Sequence, residues 1–349
     1  MNSSRLNSKP LATGPGHATA FISTAQWASA LAAERRRLEA DLARLRERVA
    51  NLGLDDPDGA PAWSEGEPAR SATAGLAVDD LIELAGKLAP ALAVMGRLRT
   101  LLQDPRVELQ EVVNVMRLDP ALTLRVIQMS NSVLFGARVH HDSIEHAAGR
   151  LGFSEIYRLV GLAATRQLCQ HDLKMYGLPA ATLWEATLAT AAAAEVLARQ
   201  TGSDAGLAYT AGLFRTLGQV MLDSAGRGRV YPGAVSGLTV SAWEKETFGL
   251  TATEVTVALL THWKFPAEII GALRGYHNPL ADSESNVGAC VLNLACGLAA
   301  RAGCDLPGEA DDWVFSPATL TLAGLTEADL ELCAERAQAH FAALCATAS

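Results

Sequence analysis

Aromatic residues make up only 5% of the 349 positions, and β-branched residues are sparse, while Ala and Leu dominate an apolar share of 49%. That balance disfavours strands and points to helices. No block of Lys and Arg occurs; 29 basic residues face 38 acidic ones, for a formal charge of −9. Phosphate contacts need clustered cations, so no nucleic-acid partner is expected. The apolar, charge-free stretch from Ser285 to Ala300 is interrupted by Asn286, Asn293 and Gly297. It falls short of the roughly 20 apolar residues of a spanning helix, so no membrane partner is expected either. Arg5, Lys9, Pro10, Gly14 and Pro15 break up any secretory core at the N-terminus. The six cysteines show no C-x-x-C spacing, which argues against a structural zinc site or a redox pair. Free thiols in the cytoplasm are the expectation. There is no G-x-S-x-G elbow and no P-loop lysine motif.

What is present is a succession of helical patterns. Residues 1–23 lack periodicity and read as disordered. Over 24–52, Leu31, Leu38, Leu45 and Leu52 recur every seven residues, with Ala28, Leu42 and Val49 in most partner positions and Arg35 breaking that row. This is either a coiled-coil arm forming a homodimer through 28–52 or an amphipathic helix lying on its own domain. Residues 53–75, with Pro57, Pro61 and Pro68, read as a linker. From Val78 onward helix follows helix. Asp119-Pro120 is an N-cap with Pro at the first helical position, and Asp142-x-x-Glu145 has the form of a capping box. Longer helices are expected at 154–170, 180–200, 204–222, 251–263, 266–275, 285–302 and 327–347. Gly152, Gly202, Gly249 and Gly303 punctuate the series. Residues 304–325 read as a loop anchored by Trp313 and Phe315.

Few residues suggest chemistry. His141-Asp142 and His171-Asp172 are His-Asp dipeptides, but neither lies among periodic helices with further ligands, and structural or surface roles are expected. Gly226-Arg227-Gly228-Arg229 reads as a solvated basic turn and Glu244-Lys245-Glu246 as a solvated helix face. Trp184, Trp243 and Trp263 are expected in the core.

Several short motifs then line up in order. Asp119-Pro120-Ala121-Leu122-Thr123 is followed by Ser130-Asn131-Ser132, Ser143-Ile144-x-x-Ala147 and Leu151-Gly152. Next come Leu183-Trp184, Ala211-Gly212-Leu213-Phe214, Leu217-Gly218, Glu244, Phe248-Gly249, Trp263-x-Phe265-Pro266 and Ala272-Leu273-x-x-Tyr276-His277-x-Pro279. This run, across roughly residues 88–300, resembles the HDOD family, the HD-related output domain of bacterial signalling proteins. Asp119, Pro120, Asn131, Trp184, Gly212, Gly218, Trp263, Pro266 and His277 carry the resemblance as structural positions.

The resemblance implies an all-α fold of two sub-bundles over 76–303 (core 88–282), the second resembling a degenerate HD phosphohydrolase fold. Residues 304–349 would form a C-terminal loop and helix packed on it. Catalytic HD domains supply a His, a His-Asp pair and a distal Asp to metal; the matching positions here are Ala186, Arg215-Thr216 and Cys296. A methyl group and a guanidinium cannot ligate a cation, and one thiol is not a site. No catalytic residue, metal or cofactor is therefore expected, though these four positions remain a candidate pocket. Buried there, Arg215 would need a carboxylate from Glu185, Glu244 or Glu254. The expected function is a cytoplasmic, non-catalytic signal-transduction module with a protein partner of a bacterial signalling pathway. A metal-dependent HD-type phosphodiesterase, or a nucleotide sensor using the candidate pocket, are the competing classes.

Overall fold

The computed structural model describes residues 76–348, apart from 89, 103, 105, 132–141, 227, 234–237, 282–285, 310–312 and 314. The expectations for 1–23, 24–52, 53–75 and a homodimer through 28–52 lie outside these residues, as do His141 and Arg227.

Local sequence sets most helix ends. After α1 (Val78–Leu88), the first sub-bundle holds α2 (Pro90–Leu102), α3 (Leu109–Met116), α4 (Pro120–Ser130) and α5 (Ile144–Leu168). Asp119 Oδ1 accepts the Leu122 N–H at 2.9 Å, Pro120 stands at the first helical position, and Asn131 is the C-cap of α4. At α5 the capping expectation needs correcting. Ser143, not Asp142, accepts the His146 N–H, while Asp142 reaches the His146 ring instead. The Ser hydroxyl lies one residue closer to the orphan amides of the first turn. A helix opens here as the capping signal indicates and runs on into the one expected over 154–170, so that α5 is continuous but kinks between the two at Gly152, where φ is 78°.

The second sub-bundle holds α6 (Ala180–Thr201), α7 (Ala205–Phe214), α8 (Leu217–Ala225), α9 (Val240–Phe248), α10 (Ala252–His262), α11 (Ala267–Gly275), α12 (Val287–Arg301), α13 (Pro317–Ala323) and α14 (Glu327–Ala348). The expected helix over 204–222 is two helices that break at Arg215-Thr216. The loop expected over 304–325 contains α13, which Ser316 caps and Pro317 opens. No strand occurs among the described residues, where the one isolated bridge joins Leu173 and Leu178. No helix among them is long and apolar enough to cross a membrane.

One apolar core runs through both sub-bundles, from Leu81 and Leu92 through Leu159 and Phe214 to Leu260 and Leu292. A second cluster ties α14 and α13 to α6 and α12 through Leu197, Leu294, Leu320 and Cys333. Trp184 and Trp243 are buried as expected, whereas Trp263 is only half-buried. Trp263 is the C-cap of α10, and Phe265 beside it takes the core place, edge-on to Phe214 at 5.5 Å. Between them Lys264 turns the chain at φ 58°, the sole described non-glycine residue with positive φ. Pro266 then precedes α11.

Candidate functional site

Helix α7 carries no charged residue, so Arg215 at its C-cap marks a sharp change in the sequence. A cation suits the negative end of a helix. Yet the Arg215 side chain is 2% exposed, so the helix end alone does not account for its charge. Arg215 Nη1 donates to Glu309 Oε2 at 2.8 Å, and the Glu309 side chain is 6% exposed. Glu309 comes from the segment between α12 and α13. Gly308, at φ 80°, lets that segment press inward, because a Cβ there would meet Val240 at 2.5 Å.

None of the three carboxylates expected to pair with Arg215 does so. Glu185 is exposed. Glu254 binds Lys245 at 2.8 Å and closes the capping box of α10. Glu244 is 1% exposed, not on a solvated face, and accepts from the Tyr176 hydroxyl and from the Ala252 N–H, each at 2.7 Å. Glu309 escaped notice because it sits in a Pro/Gly segment with no periodicity to place it.

The ring of Trp313 completes the enclosure. It stacks on His277 at 5.3 Å and on Tyr276 at 5.8 Å, and the Arg215 guanidinium lies 5.9 Å from its centroid. The motif residue His277 is thus a packing surface. Burial lowers its pKa, Glu309 opposes that and Arg215 adds to it, so the ring is neutral at pH 7 and does not compete for Glu309. Between these groups lies a crevice of about 310 Å³, open solvent included, bounded by Arg215, Gln219, Glu244, Tyr276, His277 and Glu309.

Ala186, Arg215, Thr216 and Cys296, the four positions that the resemblance sets against the HD ligands, are all buried. Arg215 and Cys296 are close enough to interact electrostatically. The Thr216 hydroxyl meets that of Thr187 at 3.2 Å, and Thr187 follows Ala186 on α6. The site residues do not fit a divalent cation. Ala186 offers a methyl group, Thr216 a shared hydroxyl and Arg215 a paired guanidinium. Burial pushes the Cys296 thiol up to about 12, so it stays neutral at pH 7. Among the described residues no three His, Cys, Asp or Glu side chains stand as a metal-holding group.

Of the other motif residues, Gly212 and Gly218 mark close helix approaches, to Ala191 and Ala252 respectively. Trp184 packs beneath Arg166, whose guanidinium lies 5.1 Å from the ring. Asp172 accepts the Ala180 N–H at 2.9 Å and so holds the start of α6. A second polar node also went unread in the sequence. Glu195, alone in an alanine-rich run, binds Arg158 at 2.7 Å, Arg199 at 2.6 Å and His340 at 2.8 Å. A single charge inside so apolar a segment was the available signal, since buried charges are paired.

Glu244 makes stability depend on pH. Burial pushes its carboxyl up to about 7, and Glu309 and Glu254 push the same way; the Ala252 and Tyr176 hydrogen bonds oppose. The folded value lies above the ordinary 4.5, so between these limits the folded protein keeps a proton that the unfolded chain has lost. The stability from this group is complete below that window and is lost as pH rises through 7. On the order of 3 kcal/mol is expected to disappear between pH 4.5 and 8. Urea titrations across that range should show the slope in the native protein and its flattening in Glu244→Gln. Parallel curves would refute the assignment.

A family model for the HDOD domain matches residues 88–279. An uncharacterised protein of Treponema pallidum is 27% identical over an alignment of 222 residues that covers 59% of this chain and 40% of the relative. The chain therefore spans well under half the length of that relative. A solved structure from Shewanella amazonensis, provisionally named a phosphohydrolase, superposes with a TM-score of 0.58 at 22% identity, over 79% of this chain and 98% of that one. Another from Marinobacter aquaeolei, provisionally named a signal transduction protein, gives 0.55 at 23% identity over 78% and 65%. Both are likenesses of fold.

Proposed function

The chain belongs to the HDOD family, and from that premise we propose that it is a non-catalytic signal-transduction module that binds a protein partner and relays a regulatory state. The observation that carries the reading is the buried Arg215–Glu309 pair, Arg215 being one of the four positions that the resemblance sets against the HD metal ligands. A fixed guanidinium opposes a divalent cation, and without a metal there is no bound water of lowered pKa to attack a phosphoester. The name of the Marinobacter protein points to the same class. A nucleotide at this site is disfavoured, because Glu309 and Trp313 of the chain itself line the place. The space left between them admits a water-sized sphere over only about 10 Å³, room for about one water molecule.

The test is metal analysis of the purified chain together with turnover of bis(p-nitrophenyl) phosphate in added Mn²⁺ or Mg²⁺. Neither stoichiometric metal nor hydrolysis is expected. Stoichiometric metal with turnover that Arg215→Ala abolishes would overturn the reading in favour of a phosphodiesterase.

A further inference from the structure

The other end of the same helices holds a cavity that none of the above uses. Leu207 and Ala208 of α7, Ile269 and Ala272 of α11, and Val291 and Leu292 of α12 form its walls. By the measure that gives 310 Å³ for the Arg215 crevice, it encloses about 660 Å³. Helix α7 has no charged residue on any face, and such a helix is normally covered all round. Here Leu207 and Ala208 are left half-exposed, facing the cavity.

The polar groups of the cavity are of one sign. Asp204 and Glu268 line it, and no Lys, Arg or His among the described residues does. Asp204 uses Oδ1 to cap α7, accepting from Leu207 at 3.0 Å. Glu268 is exposed and makes no ion pair among the described residues. A partly open, largely apolar cleft with a few polar groups at its edge, set between the helices of a bundle, is the form of a small-molecule site. Two carboxylates beside it repel an anionic head group and attract a cationic one.

We infer that this cavity binds a small amphiphile, an aliphatic body of about six to ten carbons carrying an ammonium group, with the chain between α7, α11 and α12 and the cation against Glu268 and Asp204. Burial of the tail supplies affinity, roughly three- to fourfold per methylene. The carboxylates select the charge. The site is separate from the HD positions, so it stands or falls independently of the signalling reading.

Calorimetric titration of the full chain with octylammonium, hexylammonium, octanol and octanoate, all below micelle-forming concentrations, tests it. Octylammonium is expected to bind about tenfold tighter than hexylammonium, two methylenes shorter. It should also exceed octanoate by at least tenfold at low salt, with the gap shrinking as salt rises. Ala208→Trp, which fills the chamber, should weaken octylammonium at least tenfold with the melting temperature retained. Glu268→Gln should narrow the preference over octanoate while leaving octanol unchanged. Asp204 is left in place because it caps α7. If Ala208→Trp does not fold, Leu207→Gln reads the same wall from a half-exposed position. Octanoate binding as tightly as octylammonium, no binding by any of the four, or full affinity in a folded wall variant would overturn the proposal.

Discussion

Glu309→Ala is expected to destabilise the protein by about 3–5 kcal/mol, because it strands a guanidinium inside the core. The Arg215 side chain is 2% exposed, and its charge is permanent. The reverse change should be milder. In Arg215→Met the remaining Glu309 carboxyl can escape its burial by taking up a proton, a route closed to arginine. The double variant Arg215→Met/Glu309→Leu should recover most of the loss, since apolar replacement of a buried pair is often neutral or better. With the single variant Glu309→Leu added, urea denaturation of the native protein, Arg215→Met, Glu309→Leu and the double variant forms a complete cycle. A loss under about 1 kcal/mol in Glu309→Ala would mean that water reaches the guanidinium in solution and that the pair is not a core feature.

The second large effect is steric. A Cβ on Gly218 would stand 1.9 Å from the Ala252 carbonyl oxygen, and one on Gly212 would stand 2.6 Å from the Ala191 Cα. Both obstacles are backbone, so relief requires a helix to move. Gly218→Ala would push the start of α8 off the start of α10, straining the Gly218 N–H bond to the Thr256 hydroxyl at 2.9 Å. It would also disturb Ala252, which donates to Glu244. A loss of about 3 kcal/mol or more is expected, at the upper end for overpacking. Gly86→Ala is the matched control. It lies exposed within α1 with nothing within 4 Å of the added carbon, and should gain about 0.5–1 kcal/mol from helix propensity. Thermal melts of the two variants should move in opposite directions; a Gly218→Ala melt at or above the native one would sink the packing argument.

The helical class and most element ends were legible because their signals are local. Asp119-Pro120 caps α4 through atoms three residues apart, and Gly202 and Gly249 end their helices in the left-handed conformation, as their positions in the pattern indicate. The HDOD motifs were legible for a related reason. Several mark places where two helices touch, so only glycine is tolerated, as at Gly212 and Gly218. Misreadings arose where neighbours compete for one role. Ser143 and Asp142 both have capping side chains, and only the backbone direction decides between them. The helix expected over 204–222 reads as one continuous apolar run, but Arg215 must turn into the core to meet Glu309, and α7 and α8 part there.

Taken alone, the sequence determined that this is a helical, net-acidic chain with HDOD motifs. Composition, periodicity and residue chemistry settle such matters within a few residues of chain. Tertiary structure decided which charge answers Arg215, because Glu309 lies 94 residues away in a segment with no pattern of its own. It likewise decided that Glu244 is a buried carboxyl held by Tyr176 and Ala252, and that α7, α11 and α12 leave an apolar chamber with acidic residues at its edge. A buried ion pair or a cavity is a relation between distant surfaces. It depends on how whole helices pack, and no local spacing encodes it.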